Sequence, residues 1–229
     1  MSIRENIEKV NEEIAAACAR SGRDESEVRL MAVSKYVETE RILEAVEAGQ
    51  RLFGENHAQE LKEKKTFFEQ HGCDVHFIGH LQTNKIKYVC GFAGMIESVD
   101  RENLAQLLQQ RAMARETLQD ILIQVNIGDE QQKGGITDVD LDYFAEMLAG
   151  MPNLRVRGLM CVPPDLEAEK TRLYFRRMRT LFDGMRDKRA FGAFDTLSMG
   201  MTHDFAVAVE EGATEVRVGT GIFGARDRK

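Results

Sequence analysis

The segment EVRVGTGIFGAR, residues 215–226, joins a short strand to a glycine-rich turn and a brief helix. EVRVG has the length and the valine content of a strand, and GIFGA can form one helical turn directly after it. Seven more apolar runs of strand length precede it, with stretches of helical periodicity between them. The eight predicted strands are Arg29–Ser34, Arg51–Gly54, Val75–Gly79, Met95–Val99, Ile121–Asn126, Val156–Cys161, Asp195–Met199 and Glu215–Gly219.

Strands that alternate with helices are typical of parallel crossover units. Eight of them in 229 residues favour an α/β fold, a single (β/α)8 TIM-type barrel, over an open sheet, since no GxGxxG turn follows the first strand. Ser2 and Glu5 form a capping box for an extra N-terminal helix that ends near Gly22. Because little chain follows the eighth strand, we expect this helix to cover the gap of an eighth helix. We also expect one domain over residues 1–229 and a helix cap at Asp100.

The overall charge excludes several classes of partner. A net charge of −7 and a pI near 5.4 argue against nucleic-acid and anionic-membrane surfaces, which need concentrated Lys and Arg. No apolar run approaches the roughly 20 residues that span a bilayer. The cysteines, Cys18, Cys73, Cys90 and Cys161, lack metal-ligand spacing. We therefore expect a soluble cytoplasmic protein with reduced thiols, no metal, and neither nucleic acid nor membrane as a partner.

The loops after strands seven and eight resemble a phosphate site. In (β/α)8 barrels phosphates often bind between these two loops and a short helix. Ser198 and Thr220 can offer hydroxyl groups, and Gly219 lets backbone N–H groups approach an anion. The alternative is that the glycines only form tight turns. Arg217 lies between two valines of the last strand, so it points inward and requires a ligand or a structural carboxylate partner.

Lys35 follows the first strand directly, where it could extend into water or stand at the rim of a pocket. An amine, a phosphate site and an inward arginine at one end of a barrel suit a phosphorylated aldehyde held as a Schiff base. The ligand could be pyridoxal phosphate (PLP), or a sugar phosphate as in an aldolase. Arg217 favours PLP, since an arginine at the pyridine nitrogen would keep that nitrogen unprotonated.

Seven motifs in order resemble the pyridoxal phosphate homeostasis proteins, also known as proline synthetase co-transcribed homologues. They are AVSK, GEN-x-x-QE, HFIGHLQ-x-NK, QVNI-x-DE-x-x-KGG, RGLM-x-x-P, LSMGM and VRVGTGIFGAR. The resemblance implies a fold-type III barrel similar to the N-terminal domain of alanine racemase, with PLP bound covalently to Lys35. It implies Asn56 near the cofactor ring and Arg217 at the pyridine nitrogen. It places Ser198, Gly219 and Thr220 at the phosphate.

His57, Val75 and His203 depart from the commonest family pattern, and we expect these changes at the rim of the pocket.

Family relatives that racemise amino acids carry a second, β-rich domain, and we expect none here because the chain ends soon after the last motif. Two-base racemisation needs a proton donor on each face of the cofactor. Tyr36 should point away from Lys35, while His80 is either a second base or a structural hydrogen-bonding group.

We therefore expect a monomeric PLP-binding protein that takes part in PLP homeostasis and could pass PLP to apoenzymes. The alternatives are a fold-III amino-acid racemase of low activity and a Schiff-base aldolase.

Overall fold

The computed structural model describes residues 1–130, 132–188 and 191–225, and it confirms the predicted barrel. Eight parallel strands close in the order β1 to β8, and β8 pairs with β1 from Arg29↔Glu215 to Ala32↔Val218. The strands are β1 Arg29–Val33, β2 Leu52–Glu55, β3 Asp74–Phe77, β4 Met95–Val99, β5 Gln119–Val125, β6 Leu154–Cys161, β7 Thr196–Met201 and β8 Glu215–Val218. Arg226, the last residue of the final motif, lies outside the described residues, so one domain over 1–229 stays a prediction.

The helices pack around the barrel. They are α1 Ile3–Ser21, α2 Thr39–Glu47, α3 Ala58–Gln70, α4 Ile86–Val89, α5 Glu102–Ala114, α6 Leu141–Ala149, α7 Ala168–Asp187, α8 Phe205–Glu210 and α9 Thr220–Phe223, with short 3-10 helices at Glu25–Glu27 and Thr83–Lys85. The cap predicted at Asp100 is wrong: α5 begins after Arg101, and the Asp100 carboxylate accepts a hydrogen bond from the Arg101 guanidinium instead.

Helix α1 has the predicted capping box and the predicted place. The Ser2 hydroxyl accepts from the Glu5 amide at 3.2 Å, and the Glu5 carboxylate accepts from the Ser2 amide at 2.7 Å. The helix ends at Gly22, which has a left-handed φ of 68°. Its apolar face is buried against α2, α8 and α9, and Asn6 donates to the Ile222 carbonyl at 2.8 Å. Helix α1 therefore covers the seam where the last strand meets the first.

The barrel interior has an apolar side and a polar side. Met95, Leu122 and Met160 form a small buried cluster separate from the main core. A second group of buried side chains in the interior is polar or charged, and each is at most 4% exposed: His76, Glu97, Ser198, Glu215 and Arg217. Buried charges are costly unless they are paired, so this polar side needs its own explanation.

In the described part of the chain no helix combines the length and the apolar character required to cross a membrane.

Candidate functional site

A cavity of about 430 Å³ opens at the carboxyl ends of the strands. Five of the six predicted cofactor residues line it: Lys35, Asn56, Arg217, Gly219 and Thr220. Parallel strands place their carboxyl ends at one rim, which is why residues far apart in sequence meet here. The lining also includes residues that sequence reasoning did not assign to the site: Val33, Ile78, Val162, Met201 and Thr202.

The backbone on both sides of Lys35 is held by helix α3. The Ser34 carbonyl accepts a hydrogen bond from Lys64 Nζ at 2.9 Å, and the Tyr36 amide donates to Glu60 Oε2 at 2.8 Å. Tyr36 has φ 59°, a left-handed conformation that non-glycine residues seldom adopt. Its ring is 52% exposed and packs on His57, outside the cavity. As predicted, Tyr36 does not face the same space as Lys35.

The α3 contacts that hold the backbone around Lys35 belong to a buried ion-pair network of Lys64, Glu55 and Glu60, termed the clamp. Lys64 is only 9% exposed and lies 3.0 Å from Glu55 Oε1 and 3.1 Å from Glu60 Oε2. Glu55 is fully buried and also accepts from the Ser34 hydroxyl at 2.7 Å. Burial raises the pKa of Glu55, and the Lys64 ammonium opposes that rise. The Lys64 ammonium therefore supplies the counter-charge for the Glu55 carboxylate, which contacts Ser34 just after β1.

Asn56 is set in place by a close backbone approach. A Cβ atom on Gly79 would lie 2.0 Å from the Asn56 carbonyl oxygen, so only glycine permits this packing of the loop after β3 against the loop after β2. The Asn56 Oδ1 atom is buried and has no hydrogen-bond partner among the described residues. A buried polar atom without a partner is costly, and a ligand in the cavity would supply one.

Hydrogen-bond donors of the loops after β7 and β8 converge at the cavity. The amides of Gly219 and Gly221 donate to Thr202 Oγ1 at 3.3 Å and 3.4 Å, and the Thr220 hydroxyl lies 3.2 Å from the same oxygen. These contacts are long and easily exchanged for an anion's oxygens. The predicted brief helix forms as α9. The two glycine-containing loops therefore do more than make turns, because their donors converge on one point.

Arg217 lies between the cavity and the barrel interior. It is 4% exposed, and its two terminal nitrogens donate to Ser198 Oγ and to the Cys161 carbonyl, each at 2.7 Å. No carboxylate of the described residues lies within ion-pair distance of it, so the structural salt bridge considered from the sequence is not found here. A guanidinium with neutral partners retains its full charge for a ligand.

Ser198 is the one predicted cofactor residue that the structure places elsewhere. It is fully buried, donates to Glu97 Oε2 at 2.6 Å and lies beneath Arg217 instead of lining the cavity. The reason is the length of β7, which ends at Met201, two residues beyond its predicted end at Met199. Thr202 therefore occupies the rim position that was assigned to Ser198.

Three titratable side chains meet in the polar interior beneath Arg217. His76 Nδ1 lies 2.7 Å from Glu97 Oε1 and 3.6 Å from Glu215 Oε2. Burial, together with the charge of Glu215, raises the pKa of Glu97 to about 7. Although burial acts in the opposite direction, the His76 charge lowers the pKa of Glu215 to about 2. Burial also opposes a charged His76, yet the surrounding carboxylates outweigh it and hold the pKa of His76 well above its usual value.

Three further histidines line two clefts. His80 is exposed, lies 4.0 Å from Asp100 Oδ2, and lines a neighbouring cleft of about 360 Å³ with His57. His203 lines the main cavity, and its Nε2 lies 3.5 Å from Asp204 Oδ2. The predicted position at the pocket is thus correct for His203. His57 lines the neighbouring cleft instead, and Val75 is buried within β3.

The arrangement suits one kind of ligand. Lys35 and the residues of the converging donors line one cavity, and Val33, Ile78 and Val162 supply apolar walls. An aldehyde can react with the amine, and a phosphate can accept from the donors.

Comparisons with known proteins agree with this arrangement. Residues 3–227 match the family described as alanine racemase, N-terminal domain. The pyridoxal phosphate homeostasis protein of Aquifex aeolicus is 44% identical over 227 residues, covering 99% of each chain. That of Escherichia coli (strain K12) is 41% identical, covering 98% of this chain and 97% of the relative. PipY of Synechococcus elongatus, solved with PLP bound, superposes with a TM-score of 0.81 at 34% identity, covering 94% of this chain and 100% of PipY.

Proposed function

The chain belongs to the family of pyridoxal phosphate homeostasis proteins, and from this premise we propose that it holds PLP as a Schiff base on Lys35 and takes part in intracellular PLP homeostasis. The observation that carries the proposal is the shared cavity, which is lined by Lys35 and by Gly219 and Thr220, whose donors converge on Thr202. PLP supplies an aldehyde for the amine, a phosphate for the donors and an electron-withdrawing ring between them.

Each lining residue has a role that follows from its position. Lys35 binds the aldehyde carbon, and the clamp from α3 orients its backbone. The amides of Gly219 and Gly221 and the hydroxyl of Thr220 bind the phosphate, with Thr202 holding them together beforehand. Asn56 offers its unpartnered Oδ1 to a donor on the ligand.

Arg217 would face the pyridine nitrogen, where a permanent positive charge disfavours protonation of that nitrogen. An unprotonated ring withdraws fewer electrons and so stabilises a carbanion less well. This favours a site that holds its cofactor over one that drives carbanion chemistry. Ser198 would hold Arg217 and make no contact with the phosphate.

We propose a carrier, not an enzyme, because proton donors for two-base chemistry are poorly placed. Tyr36 packs outside the cavity, and His80 lines the neighbouring cleft. The relatives are named for homeostasis and not for a reaction. The carrier would act as a monomer in the cytoplasm and pass PLP to apoenzymes that require it.

Lysine attachment can be tested by borohydride reduction of the loaded protein, followed by peptide mass spectrometry. The pyridoxyl group should appear on Lys35, and the visible absorbance of the bound cofactor should disappear in Lys35→Ala. Lys85→Ala is a matched control, since Lys85 lines the neighbouring cleft instead of the cavity. Labelling of another lysine in the wild-type protein would refute the assignment.

Donation can be tested by mixing loaded protein with an apoenzyme and following recovery of its activity. Recovery should be faster than with the same concentration of free PLP in the presence of a PLP trap. If activity recovers no faster than with free PLP in the presence of the trap, direct transfer is refuted and storage remains as the function.

A slow racemase is the second candidate, and one observation favours it. His203 lines the same cavity as Lys35, and the Asp204 carboxylate lies close enough to orient its imidazole. The two functions differ in exchange chemistry. Incorporation of deuterium from heavy water at the α-carbon of an amino acid, at a catalytic rate that His203→Asn abolishes, would establish the racemase.

A further inference from the structure

A continuous chain of hydrogen bonds joins the polar interior of the barrel to the cofactor cavity. Glu97 Oε2 accepts from the Ser198 hydroxyl at 2.6 Å, and Ser198 Oγ accepts from Arg217 Nη1 at 2.7 Å. A serine hydroxyl has one proton, so donating it to Glu97 leaves the oxygen's lone pairs for Arg217. The Glu97 carboxylate therefore orients the Ser198 hydroxyl so that its oxygen faces Arg217 as an acceptor.

Charged and polar groups from several strands surround Glu97. The groups that face the cluster are Arg29 on β1, Asp74 and His76 on β3, Glu97 on β4, the Cys161 carbonyl on β6, Ser198 on β7, and Glu215 and Arg217 on β8, and the Asp204 carboxyl group after β7 also interacts with the charge of Arg217. Arg29 lies 3.0 Å from Glu215 Oε2, and Asp74 Oδ2 lies 3.4 Å from His76 Nε2. Of the two buried glutamates, Glu97 takes up a proton first, because its pKa is raised and that of Glu215 is lowered.

We propose that Glu97 is a positioning residue for Arg217, acting through Ser198, and that protonation of Glu97 sets how firmly the guanidinium is held at the cofactor. The inference rests on the proposed PLP site. An ionised Glu97 accepts a charge-assisted hydrogen bond, which is shorter and stronger than the bond to a neutral carboxyl group. Loss of the proton therefore tightens the chain from Glu97 to Arg217, and gain of the proton loosens it.

Three features of the structure support this role. The members of the chain lie inside the barrel, at most 4% exposed, so solvent does not compete for their hydrogen bonds. Arg217 has no ion pair with a described carboxylate that would fix it independently of Ser198. The pKa of Glu97 is raised to about 7, so its proton is exchanged near neutral pH.

The test measures release of PLP from the loaded wild-type protein and its variants into a PLP trap, as a function of pH, by the visible absorbance of the cofactor. Ser198→Ala should release PLP about tenfold faster, the factor that corresponds to loss of one hydrogen bond of about 1.4 kcal/mol. Ser198→Thr, which keeps the hydroxyl, should restore the wild-type rate. Ser98→Ala is the matched control, since Ser98 is a buried serine on β4 that makes no hydrogen bond to a described residue.

The pH profile separates positioning from simple structural support. In the wild type, release should slow as pH rises through about 7, and in Glu97→Gln this component should vanish. A wild-type profile in both Ser198→Ala and Glu97→Gln, with Lys35 still the labelled lysine, would overturn the proposal alone. Failure of Lys35 labelling would instead overturn the PLP site. The atoms of His76, Glu97 and Glu215 lie within 4.8 Å of one another, so one equivalent of a divalent metal in the purified protein would also overturn it.

Discussion

Replacing Lys64 with methionine should destabilise the protein strongly, because it removes the cation from a buried network while keeping the apolar stem. The lost ammonium donates to the Ser34 carbonyl at 2.9 Å, to Glu55 at 3.0 Å and to Glu60 at 3.1 Å. Glu55 is fully buried and would lose its counter-charge, keeping only the hydrogen bond from the Ser34 hydroxyl. Breaking such a buried pair costs about 3–5 kcal/mol in free energy of unfolding.

The same substitution should also weaken PLP binding, because the Ser34 carbonyl next to Lys35 loses its anchor. Urea unfolding at pH 7 gives the stability change, and a PLP titration followed by visible absorbance gives the affinity. Lys62→Met on the same helix is the control, with a loss below about 1 kcal/mol, since Lys62 is exposed and its ammonium lies over the Tyr88 ring. The double variant Lys64→Met/Glu55→Gln should recover much of the loss, because it removes the unpaired charge.

The pH dependence provides a second check on Lys64. Burial without the ammonium raises the pKa of Glu55 further, and a carboxyl group whose folded pKa is raised stabilises the protein at low pH and loses that contribution as pH rises. The difference in free energy of unfolding between Lys64→Met and wild type should therefore be smaller at pH 4.5 than at pH 8. A difference below about 1 kcal/mol at pH 7, or one that does not change with pH, would show that the clamp is not the source of the stability.

Three further changes test other parts of the molecule. Gly79→Ala would place a Cβ atom 2.0 Å from the Asn56 carbonyl oxygen, so the displaced Asn56 loop should raise the Kd for PLP at least about tenfold in an absorbance titration. Thr202→Val removes the oxygen that gathers the loop amides, and calorimetry should show weaker binding of PLP with little change for pyridoxal, which lacks the phosphate. The raised pKa values of Glu97 and His76 predict that the free energy of unfolding falls as pH rises from about 5 through 7, and that Glu97→Gln flattens the lower part of the curve. A rise in stability over that range would contradict the assignment.

The fold was predictable because each buried strand leaves a short apolar run in the sequence. Met95–Val99 has the predicted bounds, whereas β7 continues two residues past its predicted end. Because of that error Ser198 was expected at the rim of the cavity, where the structure has Thr202. The depth of a residue inside a barrel depends on where its strand ends. Residues directly after strands, such as Lys35 and Gly219, were less sensitive to this error, since every parallel strand ends at the same rim.

The buried cluster could not be predicted from local pattern. His76, Glu97 and Glu215 come from strands β3, β4 and β8, and each lies in a short strand that contains a second polar residue. From the sequence alone, such a residue could equally face solvent or the surrounding helices. Closure of the barrel brings the three together inside it, where the His76 imidazole faces both carboxylates.

Closure of the barrel between β1 and β8 also has a consequence for how the protein is made. Lys35 follows the first strand, and the phosphate loop follows the last, so the two walls of the cavity are synthesised at opposite ends of the chain. While β8 has not yet emerged from the ribosome, the nascent chain contains Lys35 but lacks the loop proposed to bind the phosphate. In the proposed binding mode PLP would bind only the finished barrel, so it would not assist early folding. Through its covalent link to Lys35 and its phosphate contacts after β8, it would connect the first and last strands across the seam and slow the opening of the barrel there.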